Sequence, residues 1–128
     1  MKTDSDIDKF VKLVKQIKNL ISEFSVLSKK KPDDAVNKFK IKLINPVLEV
    51  ANYFVNDKKY KPFADFELFN EDELPTNSDV LVILSQYSAC LEKYHEDAIK
   101  FHDIDFKYYW LVNGKLSGVL APQSFEDI

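Results

Sequence analysis

Apolar residues in the first quarter of the chain recur at helical spacing. Ile7, Phe10, Val14, Ile17, Ile21 and Phe24 step alternately by three and four, with Leu13, Leu20 and Leu27 widening the stripe on one side. This pattern predicts an amphipathic helix over 4–28 packed on a core. Thr3, Asp4, Ser5 and Asp6 offer N-caps, with acids suited to the helix dipole. Lys9, Lys12, Lys15 and Lys18 cover most of the opposite face. A basic amphipathic helix also fits a membrane surface, but the core needs the stripe, so no membrane partner is expected.

Lys29-Lys30-Lys31-Pro32 ends this helix, and proline suits the first turn of the next. A second helix is expected from about Asp33, with Val36, Phe39, Leu43 and Ile44 inward. At Asn45-Pro46 the helix either kinks or gives way to a fresh one spanning 46–55. Val47, Leu48, Val50, Ala51, Phe54 and Val55 are apolar nearly all round, which predicts a central, buried segment. Residues 56–77 are the least regular. Phe63, Phe66 and Phe69, with Leu68 and Leu74, are expected to pin a long loop onto the core. A strong periodicity returns over 79–101, where Val80, Leu84, Tyr87, Leu91, Tyr94, Ala98 and Phe101 step by four and three, capped by Asn77 or Ser78.

The tail changes period. Residues 106–112 and 115–120 flank Asn113-Gly114, which fits a β-hairpin with a type I′ turn. The rival is a short helix over 104–113 ended by Gly114. The expected fold is mainly α: a single-domain bundle of four or so helices, with a short C-terminal β-hairpin over 106–120. Gly114 and Gly118 are the only glycines, consistent with a first 110 residues that spend little on β-turns.

At 14.9 kDa, a compact chain exposes about 7,000 Å² and buries roughly two-thirds of its extended surface. With 45% hydrophobic and 30% charged residues, the composition is that of a globular protein. The single Cys90 excludes an internal disulfide and a multi-cysteine zinc site. Beside an apolar stripe it reads as a small buried hydrophobe. No apolar run reaches membrane-spanning length, and the acidic start lacks the core of a secretory signal, so the expected location is the cytosol.

Charge is divided along the sequence. Residues 1–61 carry 14 Lys and 8 Asp or Glu; residues 62–128 carry 4 Lys and 13 Asp or Glu. The halves either attract each other within one domain or present an acidic surface to a basic partner. Nucleic acid is not an expected partner, because the chain has no Arg and its second half repels phosphate.

Catalytic signatures are thin. Glu92 and His95 form one Glu-x-x-His step, where a carboxylate di-iron bundle needs two. His95 and His102 stand two turns apart on the expected helix, about 10 Å along its axis, too far to share a metal. No glycine-rich phosphate loop exists, and no nucleophile accompanies a His and an acid in a familiar order. The expectation is no enzyme, no cofactor and no metal. The final Phe125-Glu126-Asp127-Ile128 reads as a frayed end or a C-terminal recognition peptide.

The most suggestive stretch is Asp103-Ile-Asp105-Phe-Lys-Tyr108-Tyr109-Trp110, where acids stand beside clustered aromatics. Tyrosine and tryptophan anchor interfaces through large rigid surfaces with polar tips. Alternate members, Phe106, Tyr108 and Trp110, would equally fill a core from one strand face.

The short, Lys-rich, Arg-free helical pattern with an acidic second half resembles small bacterial immunity proteins, especially those of contact-dependent growth inhibition systems. Asp105-Phe-Lys-Tyr108-Tyr109 is similar to the Asp-x-x-Tyr-Tyr step that immunity proteins of nuclease colicins carry at their toxin-binding surface. The resemblance implies a cytosolic inhibitor, monomeric when free, that binds a cognate and basic nuclease toxin domain. The expected partner-binding residues are Glu71, Asp72, Glu73, Glu92, Glu96, Asp97, Asp103, Asp105, Tyr108, Tyr109 and Trp110. The alternative is a helical adaptor with an unrelated protein partner.

Overall fold

Thr3, in extended conformation, caps helix α1 (Asp4–Lys30) in the computed structural model, which describes residues 1–128. Most of its predicted stripe is its buried face: Ile7, Phe10, Leu13, Val14, Ile17 and Phe24 are inside, while Leu20, Ile21 and Leu27 are half-buried at its margin. Asp6 is buried beside them, its carboxylate accepting hydrogen bonds from the Lys2 and Thr3 N–H groups and the Tyr53 hydroxyl. Burial acts to raise its pKa, but these donors outweigh it and hold Asp6 below the usual carboxylate range.

Helix α2 (Lys38–Val55) begins later than Asp33. Residues 32–37 instead strap across the start of the third helix: Val36 N–H donates to Pro75, Asn77 N–H to Asp34, and the Asn77 amide to Lys31. Asn37 caps α2 by accepting from Lys40 N–H. The helix runs through Pro46 without interruption, so no fresh helix starts there. Its buried face is Ile41, Ile44, Leu48, Ala51, Phe54 and Val55, whereas Phe39 and Leu43 are 70% and 59% exposed and Val50, expected in the buried segment, is exposed as well. The expectation that both Phe39 and Leu43 point inward fails because Ile41, Ile44, Leu48 and Ala51 set the inward face, and at about 100° per residue Phe39 and Leu43 lie roughly 120–160° round from it.

Thr76, rather than Asn77 or Ser78, caps helix α3 (Asn77–Ala98). Its hydroxyl accepts from Asp79 N–H, and the Asp79 carboxylate accepts from Thr76 N–H, a reciprocal cap. The loop from Asn56 to Pro75 is held by two α2 asparagines one heptad apart. Asn45 exchanges hydrogen bonds with the Phe69 backbone, and Asn52 donates to Glu67 and accepts from the Tyr87 hydroxyl. Phe63, Phe66 and Phe69 stack in series toward Tyr87. Burial lifts the Tyr87 hydroxyl to about 12.

Residues 99–101 are not helical. The chain passes from Ala98 directly into strand β1 (Ile99–His102), which pairs antiparallel with β2 (Lys107–Val112); β2 pairs with β3 (Lys115–Leu120). The 106–120 hairpin is present, but as part of a three-stranded meander. The helices number three rather than four, and the fold is mainly α with a C-terminal β element. Asn113 (φ 52°) and Gly114 (φ 76°) make the two-residue turn, as type I′ geometry requires. Further along β3, Ser117, Gly118 and Val119 oppose Trp110 alone, a bulge centred on Gly118 at φ 81°.

The sheet seats on the helices through Trp110, which is 1% exposed. Its ring meets Phe10 and His95 edge-on. The C-terminal segment is docked rather than frayed. Phe125 opens a 3₁₀ turn and is buried against His95; Lys18 Nζ donates to the carbonyls of Phe125, Glu126 and Ile128. No helix is long and apolar enough to cross a membrane.

Candidate functional site

The acids expected to form one face lie in two places. Glu71, Asp72 and Glu73 sit in the loop just before α3, and Asp72 pairs with Lys38 at 3.9 Å. Glu92, Glu96 and Asp97 ride the last two turns of α3, and Asp103 and Asp105 follow in the β1–β2 loop. A helix the length of α3 spans about 33 Å, so the first group is at the far end from the second. The structure brings Glu92, Glu96, Asp97, Asp103, Asp105, Tyr108 and Tyr109 to one end and leaves Glu71, Asp72 and Glu73 out.

Within that end the residues differ in availability. Asp97 is already engaged: it accepts from the Tyr60 hydroxyl at 2.6 Å and pairs with Lys59 at 3.0 Å and Lys93 at 3.6 Å. The Tyr60 hydrogen bond, then the Lys59 pairing, holds it below the usual carboxylate range. Glu96 pairs with Lys93 at 3.8 Å, while Glu92 and Asp103 have no ion-pair partner in the chain. Trp110 leaves the surface set altogether, because a side chain packed between Phe10 and His95 cannot meet a partner while the fold is intact.

The β1–β2 loop is a built feature. His102 and Lys107 close it, and Phe106 N–H donates to the His102 carbonyl at 2.9 Å. Asp105 accepts hydrogen bonds from the Tyr109 hydroxyl and the Lys107 N–H, and lies 3.1 Å from His102 Nδ1. The Tyr109 hydrogen bond is the main reason the Asp105 carboxyl titrates low. The Tyr109 ring meets His102 edge-on, and Phe101 packs between Phe106 and Tyr108. Asp105 thus fixes the two strand ends while Asp103 stays free.

Two residues outside the expected binding set dominate the tip, one of them, Phe106, a core candidate in the sequence. Ile104 is 83% and Phe106 76% exposed. Phe106 also holds φ 58°, a left-handed conformation unfavourable for a bulky side chain. An available signal was the alternation Asp-Ile-Asp-Phe in a segment too polar for a core strand: apolar residues between acids at a turn have nowhere inside to go.

The histidines are placed for structure. The His95 ring is buried, with Nε2–H donating to the Pro122 carbonyl at 2.8 Å. Desolvation lowers its pKa, so the neutral ring is favoured. His102 is committed to Asp105. No group of three or more His, Cys, Asp or Glu side chains is placed to hold a metal ion. Burial also pushes the Cys90 thiol up, away from the reactive thiolate. Family models, curated proteins and solved structures contain no match to this chain.

Proposed function

We propose that the chain is a protein-binding inhibitor of the immunity-protein type, docking on a basic toxin domain through the β1–β2 tip and the adjoining end of α3. The observation that carries this reading is the exposure of Ile104 and Phe106 at the end of a hairpin whose geometry is fixed by Asp105, Tyr109 and His102. A large apolar pair outside the core, with Phe106 held at a strained φ, is costly to the free protein, and covering the pair offsets that cost.

The contributions divide by size. Five acids at this end face four lysines, Lys59, Lys93, Lys100 and Lys107, and the two acids without an ion-pair partner, Glu92 and Asp103, are the ones left to steer a cationic partner and raise its association rate. The apolar tip supplies the anchor: burying each of Ile104 and Phe106 is worth about 1.5–3 kcal/mol. Glu71, Asp72 and Glu73 are not part of this face.

The test is co-production with the protein encoded next to this chain, scored by growth and by calorimetry of the purified pair. The expected result is rescue of growth, with binding weakened by Ile104→Ala or Phe106→Ala far more than by Glu71→Gln. A neighbouring product that is harmless alone, or one whose binding ignores the tip variants, overturns the reading.

A further inference from the structure

The groove between α1 and α2 shares no lining residue with the β1–β2 tip. On α1 its wall is Lys9, Lys12, Gln16, Leu20, Glu23 and Leu27, which runs one residue ahead of the buried stripe and therefore about 100° around the helix. The α2 wall is Phe39, Leu43, Pro46, Val47 and Val50, with Lys40 and Lys42 beside it. Two cavities of about 450 and 240 Å³ lie along it and share Leu43. From Lys9 to Leu27 the groove extends about 27 Å.

Its length is apolar and lysines flank it. Phe39, Leu43 and Val50 are exposed, and Glu23 is the only acid lining the two cavities. Lys9, Lys12, Lys40 and Lys42 form no ion pair within the chain; the nearest recorded partner of Lys9 is the Tyr53 ring. The whole chain exposes 7896 Å², above the roughly 7,000 Å² of a compact protein of this mass.

We propose that this groove docks an acidic amphipathic helix from a partner protein, as the fourth helix of the bundle. Two antiparallel helices present ridges that a third helix fills, and no strand edge lines the groove to receive an extended peptide. Carboxylates flanking an apolar stripe would meet the four rim lysines. A second copy of this chain is disfavoured, because a two-fold contact here sets the same lysines against each other.

The probe is a fluorescent helical peptide of about 18 residues, matching the groove length, with leucine at i, i+3, i+4 and i+7 and glutamate elsewhere. Anisotropy should show saturable binding that weakens about tenfold or more with Leu43→Asp, from lost apolar burial. The paired reversal Lys12→Glu and Lys42→Glu should weaken it comparably, and added salt should also reduce it. Phe106→Asn at the tip should leave it unchanged. Leu43 and the lysines are exposed, so melting curves should match the parent; if Leu43→Asp does unfold, the lysine reversal carries the test alone. Equal binding of a scrambled peptide of the same composition, or of a lysine-for-glutamate version, overturns the proposal. So does an absence of saturable binding. A dimer in sedimentation that Leu43→Asp abolishes overturns it in favour of self-association, and binding to phosphatidylserine vesicles that Leu43→Asp abolishes does so in favour of a membrane.

Discussion

His95 shows how one side chain can serve the core and set a pH limit. Its ring is wedged between Trp110 and Phe125, and its Nε2–H reaches the Pro122 carbonyl. Because burial lowers its pKa, the unfolded chain takes up this proton at a higher pH than the folded one. Stability from the neutral ring is therefore complete above the ordinary histidine pKa of about 6.5 and declines as the pH falls below it. Thermal melts between pH 7 and pH 5 should show a falling Tm for the parent and a flatter profile for His95→Gln. Phe106 makes the opposite bargain, exposed and at positive φ. Replacing it with Asn, which tolerates that conformation, should leave stability unchanged or raise it by up to about 1 kcal/mol. The same change should weaken partner binding, which denaturant titration and calorimetry would separate.

At the scale of elements, α2 carries the clearest conflict between local chemistry and observed structure. Pro46 sits in the helix interior, where it has no N–H to offer the Lys42 carbonyl and crowds the preceding turn. Packing of Ile41, Ile44, Leu48 and Ala51 carries the helix past it. Pro46→Ala should therefore stabilise the protein, by about 1–3 kcal/mol, the lower end reflecting the freedom alanine adds to the unfolded chain. Equilibrium unfolding in urea measures this directly, and a variant less stable than the parent contradicts it. Asn45, next to it, is spared a purely helical role because its amide grips Phe69. The third helix yields to the sheet at Ile99, which aligns with the buried Trp110 across the strand pair.

The whole molecule is closed by its last eight residues. Lys18 on α1 donates to three tail carbonyls, His95 on α3 to a fourth, and Phe125 fills the space between. The tail therefore ties the two longest helices together. Phe125→Ala should cost about 3–5 kcal/mol, the usual range for emptying an aromatic site. Lys18→Met should cost less, about 1–2 kcal/mol, since each hydrogen bond is partly replaced by water. Thermal melts of both variants rank the two effects; an unaltered Tm for Phe125→Ala contradicts a docked tail. The division of charge also persists at this scale. Cross-half pairs such as Lys38–Asp72 and Lys59–Asp97 engage part of it, while the rim lysines of the α1–α2 groove, Glu92 and Asp103 form no ion pair within the chain.

The chain by itself determined the helical class, the buried face of α1, most of the α3 stripe, the aromatic pinning of the long loop and the Asn113-Gly114 turn. These follow from local steric preferences and from a periodicity that buries one face whatever lies opposite. Only tertiary structure decided that Phe39 and Leu43 face solvent, that residues 99–102 leave helix for strand, that Trp110 is core and Ile104 and Phe106 are not, and that the acids divide between the two ends of α3. Each of these depends on what packs across from a residue, and an apolar side chain carries the same spacing whether its neighbour is a helix or water.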